Sequence, residues 1–136
     1  AIAAGMAHGL GYGDNFQSVL MSNATREMKR FIKKAHKMKR NINETVYLGD
    51  LLVTCYSLFS RNRMFGNMIG KGYTVKSAQM EMSMVAEGYY ATKSAYQINH
   101  NNESPAQTPI IDTIYEVLYM HKNSKKAFKK LTEKLT

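Results

Sequence analysis

The chain has 136 residues, with 19 Lys+Arg against 10 Asp+Glu for a formal charge of +9, 44% hydrophobic residues and 21% charged ones. That is one domain's worth of chain, too apolar for wholesale disorder. No apolar run approaches the roughly 18 residues of a membrane-spanning helix: His8 and its glycines interrupt the first candidate and Asp50 the second, so the chain reads as soluble.

The first strong element starts near Asp14, an N-cap candidate, after which Phe16, Leu20, Ala24, Met28, Phe31, Ala35 and Met38 recur in steps of three or four. That spacing predicts a long amphipathic helix. At about 100° per residue, Arg26, Lys29, Arg30, Lys33, Lys37 and Arg40 fall opposite Met28, Phe31, Ile32 and Ala35. Asn43 caps a further helical stretch through Leu48 to Cys55, and Ser60 is the N-cap expected for a helix from Arg61 to Ile69, ahead of Gly70 and Gly72. Thr74 begins a candidate through Met82, and Glu87 or Gly88 one through Asn99, before a loop at 101–105. Thr108 as N-cap and Pro109 at the first helical position open a helix whose apolar face is Ile110, Ile111, Ile114, Val117 and Leu118. Asn123 caps the last helix, with Phe128, Leu131 and Leu135 as its buried stripe. With no period-two strand and no internal repeat, residues 1–136 read as a single all-α domain, a bundle of six to eight helices.

The charge is concentrated in two blocks. Residues 26–40 hold eight Lys/Arg against Glu27 alone, net +7, and 122–136 hold six lysines against Glu133, net +5. Both blocks have helical apolar spacing, so they read as wet faces of packed helices rather than as tails. A nucleic-acid-binding module is the alternative that such charge raises, but a groove for single strands interleaves aromatics for base stacking, and Phe31 falls on the apolar side. An acidic partner or an anionic membrane surface is equally compatible with a basic face.

Other motifs reduce to structure. Gly66, Gly70 and Lys71 resemble a phosphate loop only loosely, with three residues between the glycines and no following Ser/Thr, so a helix C-cap is expected there. Gly9, Gly11 and Gly13 have no preceding strand and read as a helix-helix connection, not a dinucleotide turn. Met80, Met82 and Met84 are expected in the core. His8, His36, His100 and His121 are dispersed, and the lone Cys55 has no disulfide partner or metal spacing, so no metal site is expected and a reducing compartment is the default.

The stretch from Gly49 to Arg63 differs in kind. Asp50 lies in an apolar run, where an unpaired carboxylate is costly, and so calls for a cationic or hydrogen-bonding partner. Ser60, the first-turn amides, Arg61 and Asn62 then gather at a helix start, where the dipole favours negative charge and a guanidinium grips phosphate with two parallel hydrogen bonds. The same residues suit a capped helix with solvated arginines.

At this stretch the sequence resembles the C-terminal, substrate-binding domain of bacterial-type NAD(P)-dependent glycerol-3-phosphate dehydrogenases. The resemblance runs through Ala1 to Gly5, Gly9 to Asn15, Gly49-Asp50-Leu51, Val53-Thr54-Cys55, Ser60-Arg61-Asn62-Arg63, Val85-Ala86-Glu87-Gly88 and Pro109 to Tyr119, in order. It implies reduction of dihydroxyacetone phosphate to sn-glycerol 3-phosphate by NADH or NADPH, in the cytoplasm, for glycerophospholipid synthesis. By position in the motif, Asp50, Ser60, Arg61 and Asn62 would contact substrate, and Arg61, Val85 and Glu87 would reach a cofactor held mainly by an N-terminal Rossmann domain. The family's proton-donating lysine, which Asp50 would steady, stands a few residues ahead of the stretch matching Ala1. The chain, which begins without an initiator Met, is therefore expected to be a fragment, inactive alone, of an enzyme that forms a homodimer. It departs from the family pattern in lacking a Gly-rich approach to Asp50 over 41–48 and in the basic character of 26–40.

Overall fold

The computed structural model describes residues 1–36 and 60–136. Among these residues there are seven helices and no strand: α1 Ile2–Gly9, α2 Asp14–His36, α3 Arg61–Gly70, α4 Val75–Glu81, α5 Gly88–His100, α6 Pro109–Tyr119 and α7 Ser124–Thr132. None of them is long and apolar enough to cross a membrane. The helix expected over 43–55 lies outside the described residues, as do Lys37 and Arg40 of the basic face.

Local chemistry sets most of the boundaries. Ser60, Thr74 and Asn123 take extended backbone angles, and each side-chain oxygen accepts an N–H three residues on, from Arg63, Ser77 and Lys126. At the ends of α1 and α3 the chain closes in the same way. Tyr12 N–H bonds to the Ala7 carbonyl and Gly11 N–H to that of His8, while Tyr73 and Gly72 do the same with Met68 and Ile69. These are Schellman closures, which need a left-handed residue after the helix; Gly11 (φ 93°) and Gly72 (φ 108°) supply it.

The core gathers Ile2, Met6 and Ala7 of α1, Leu20 and Met21 of α2, Phe65 and Ile69 of α3, Ile114, Val117 and Leu118 of α6, and Phe128 and Leu131 of α7. Its centre is the α1–α3 crossing, the most extensive pairing among the described helices. A Cβ added at Gly5 would lie 2.0 Å from the Arg63 carbonyl oxygen, and one at Gly66 would lie 2.0 Å from that of Ile2. The same added atom at Gly9 or Gly70 would meet Asn67 or Met6 carbonyl oxygens at 2.3 and 2.4 Å. Two Gly-x-x-x-Gly pairs thus let the helices touch backbone to backbone. The helix runs one residue past the expected Ile69, to Gly70, and the C-cap expected at this motif is there at Lys71, while Gly66 and Gly70 serve the crossing.

Three further expectations are corrected. Met80 and Met84 are exposed, at 77% and 59%, rather than in the core. Met80 lies within α4 but two residues, about 200° around the helix, from its buried Ala78, and Met84 lies past the end of α4 at Glu81, where helical spacing has no meaning. The α2 stripe is fully buried only around Leu20 and Met21, while Met28, Phe31 and Ile32 are half-buried. Thr108 occupies the N-cap position of α6 without capping it: its hydroxyl donates to Asp112 Oδ1 at 3.0 Å and accepts from Asn99 Nδ2 at 3.1 Å. The α6 amides of Ile110 and Ile111 go instead to the two oxygens of Glu27, each at 2.8 Å.

Candidate functional site

The start of α3 places Ser60, Arg61 and Asn62 in one turn. Ser60 Oγ accepts the Arg63 N–H at 3.3 Å, which leaves the Arg61 and Asn62 amides without intrahelical partners at the positive end of the helix. Arg61 is exposed and Arg63, two residues on, is buried and engaged in interactions of its own. Neighbours in sequence therefore differ in their reach: Arg61 faces outward to solvent, whereas Arg63 belongs to the interior.

Two contacts join this turn to the segment that precedes α5. Arg61 Nη1 donates to the Met84 sulfur at 3.4 Å, and Asn62 Oδ1 accepts the Gly88 N–H at 2.8 Å. Gly88 is closely packed as well: a Cβ there would lie 2.8 Å from Asn62 Oδ1 and 2.9 Å from Ile2 Cδ1, side-chain tips that would have to shift. Val85 and Glu87 lie between these anchors and are both exposed. The fold so brings together five of the six residues singled out in the sequence, namely Ser60, Arg61, Asn62, Val85 and Glu87. Asp50 lies outside the described residues.

Beside Arg61 opens a hollow of about 350 Å³, lined by Phe65, Met82, Met84, Val85, Tyr89 and Tyr90 among others. Its floor is rigid: Tyr89 meets Phe65 edge-on at 5.9 Å and stacks on Tyr119 at 4.6 Å, and Tyr119 Oη donates to the Tyr89 carbonyl at 2.6 Å. Burial, reinforced by the neighbouring tyrosines, pushes the Tyr119 hydroxyl well above its usual range, so it stays protonated and keeps donating.

A larger cleft, about 460 Å³, surrounds Glu27 with Arg26, Arg30, Gln107 and Asp112. Its polar groups serve the chain itself. Arg26 Nη2 bonds Thr136 Oγ1 at 3.1 Å, Arg30 Nε bonds the Gln107 carbonyl at 3.0 Å, and Glu27 holds the start of α6. Farther along the same basic face, Lys34 Nζ reaches Ser104 Oγ at 3.1 Å. The candidate site is therefore the α3 turn rather than the larger opening.

Sequence reasoning missed Met84 and Glu27. Nothing local marks Met84, whose methionine spacing points to the core instead. Glu27 does carry a signal in the sequence: it is the lone carboxylate inside the basic block 26–40.

Against known proteins, the family model described as the C-terminus of NAD-dependent glycerol-3-phosphate dehydrogenase matches residues 1–129. The glycerol-3-phosphate dehydrogenase [NAD(P)+] of Bacillus cytotoxicus is 39% identical over 127 residues, 93% of this chain and 37% of that protein. That of Chlamydia felis is 37% identical over all 136 residues and 40% of its own length. In the crystal structure of glycerol-3-phosphate dehydrogenase from Coxiella burnetii, 40% of the chain matches 97% of this one with a TM-score of 0.89 at 28% identity. The chain spans 37–40% of the length of these relatives. It belongs to the family of the C-terminal domain of NAD-dependent glycerol-3-phosphate dehydrogenases.

Proposed function

We propose that the chain is the substrate-binding half of an oxidoreductase that interconverts dihydroxyacetone phosphate and sn-glycerol 3-phosphate with NADH or NADPH, in the cytoplasm, for glycerophospholipid synthesis. The observation that carries this reading is the exposed Arg61 guanidinium at the head of α3, fastened to the 84–88 segment. A guanidinium beside first-turn amides suits a phosphate in charge, in geometry and in the sense of the helix dipole.

In this reading Asp50, Ser60, Arg61 and Asn62 contact the polyol phosphate. Ser60 has capped with one lone pair and keeps its O–H to donate, and Asn62 has used Oδ1 on Gly88 and keeps the Nδ2 end for a substrate hydroxyl. Arg61, Val85 and Glu87 reach the dinucleotide, which supplies the hydride when bound. Its main binding surface belongs to an N-terminal Rossmann domain, which also brings the proton-donating lysine, and the whole enzyme works as a homodimer. Asp50 steadies that lysine's charge as the alkoxide forms. Alone, this chain is inactive.

The test is enzymatic. The full-length protein should oxidise NADH or NADPH only when dihydroxyacetone phosphate is added, and Arg61→Ala should lower kcat/KM by about a hundredfold or more, the value of a charge-assisted phosphate contact. No substrate-dependent oxidation, or an Arg61→Ala enzyme with unchanged constants, overturns the reading.

A further inference from the structure

Met84 is out of place by the ordinary rules for its side chain. It is 59% exposed, in the irregular stretch between α4 and α5, yet its sulfur faces the Arg61 guanidinium at 3.4 Å. Among the described residues no carboxylate lies within ion-pair distance of Arg61. Within the described residues, then, the group that aims this guanidinium is a neutral, weak acceptor and not a counter-charge.

That difference has a chemical consequence. A carboxylate partner would hold Arg61 more firmly but would neutralise it, and an incoming phosphate would have to displace it. A thioether accepts one N–H, narrows the rotamers of a long side chain and leaves the full positive charge and the other guanidinium donors facing out. Ordering a flexible arginine before the ligand arrives removes part of the entropic cost of binding. The backbone holds Met84 in place independently, since Gly88, four residues on, is pinned by Asn62 at 2.8 Å and Ala86 is buried.

We infer that Met84 is a positioning residue for the anion site, its sulfur pre-aiming the Arg61 guanidinium at the substrate phosphate. The inference rests on the assignment of Arg61 to that phosphate. Met84 touches no reacting atom; it acts through Arg61.

The experiment uses the full-length protein with three variants, Met84→Leu, Met84→Gln and Arg61→Ala, in steady-state reduction of dihydroxyacetone phosphate. Leucine keeps the volume and removes the acceptor, while glutamine restores an oxygen acceptor at similar reach. Met84→Leu should raise the KM for dihydroxyacetone phosphate about three- to fivefold, the worth of one modest hydrogen bond, with kcat nearly unchanged. Met84→Gln should return KM to within about 1.5-fold of the parent. If Met84→Leu leaves KM unchanged, alters only kcat, or is matched by Met84→Gln while Arg61→Ala still cripples the enzyme, the positioning role is wrong and the functional reading stands. If Arg61→Ala is itself without effect, the functional reading fails first.

Discussion

The carboxylate of Glu27 sits 2.8 Å from the backbone N–H of Ile110, 83 positions away in the sequence, and caps a helix to which it does not belong. Its second oxygen takes the Ile111 N–H at the same distance, so both oxygens meet the positive end of α6. The arrangement clamps α2 to α6 through backbone groups that Thr108, at the N-cap position, leaves unmet.

Stability should depend on pH through this residue. Burial pushes the Glu27 carboxyl from 4.5 up to about 7, outweighing the two amides and Arg30, which pull it down. The folded protein then binds a proton that the unfolded chain has lost, so Glu27's contribution is complete below about 4.5 and disappears as pH rises through about 7. A shift of that size is worth roughly 3 kcal/mol. Urea unfolding of the parent and of Glu27→Gln at pH 5 and pH 8 should show the parent losing roughly 2–3 kcal/mol relative to the variant. Parallel profiles would sink the idea.

Packing at the α1–α3 crossing gives a sharper contrast between glycines. Gly66→Ala drives a methyl group onto the Ile2 carbonyl and should cost about 3 kcal/mol or more, or prevent folding. Gly13→Ala meets nothing within 4 Å and, at the N-cap of α2, whose carbonyl accepts the Gln17 N–H, should change stability by no more than about 1 kcal/mol. Thermal melts of the two proteins would suffice, and equal midpoints would contradict the crossing described.

Much of this fold was legible because its controls are local. A cap such as Ser60, Thr74 or Asn123 acts within three residues, and Pro109 presets its own φ. What escaped was non-local. The cap on α6 comes from another helix, and no window around Thr108 contains Glu27. Gly5 and Gly9 against Gly66 and Gly70 were visible as paired spacings of four, but only the partner helix gives that spacing its meaning. The methionines show the opposite error: Met80 is on the outer face of α4, whose buried residue is Ala78, and the spacing that includes Met84 runs past the helix end at Glu81. At the site, motif resemblance picked out Arg61, Val85 and Glu87, whereas the sulfur contact depends on side-chain reach across a turn of chain.

Removing the Asn62 side chain strips the Gly88 N–H of its acceptor. Asn62→Ala should destabilise the protein by about 1–3 kcal/mol, and native-state hydrogen exchange at the Gly88 amide should accelerate more than at Ile69, farther along α3. Uniform acceleration at both amides would mean the bond has no local role.

The core offers a control on all of these. Phe128 is fully buried, and Phe128→Ala should cost about 3–5 kcal/mol. Lys129→Ala, one residue on and exposed, should change stability by no more than about 0.5 kcal/mol. Denaturant midpoints of the pair would expose a wrong helix face at once.

The bond from Asn62 to Gly88 makes two stretches of chain share one mechanical fate. If phosphate draws on Ser60 and Arg61 while a dinucleotide draws on Val85 and Glu87, each ligand works against the same stiffened corner. Whatever order one ligand imposes there, the other no longer has to impose. The two affinities would then rise together, by equal factors in either order of addition, as reciprocity between linked sites requires.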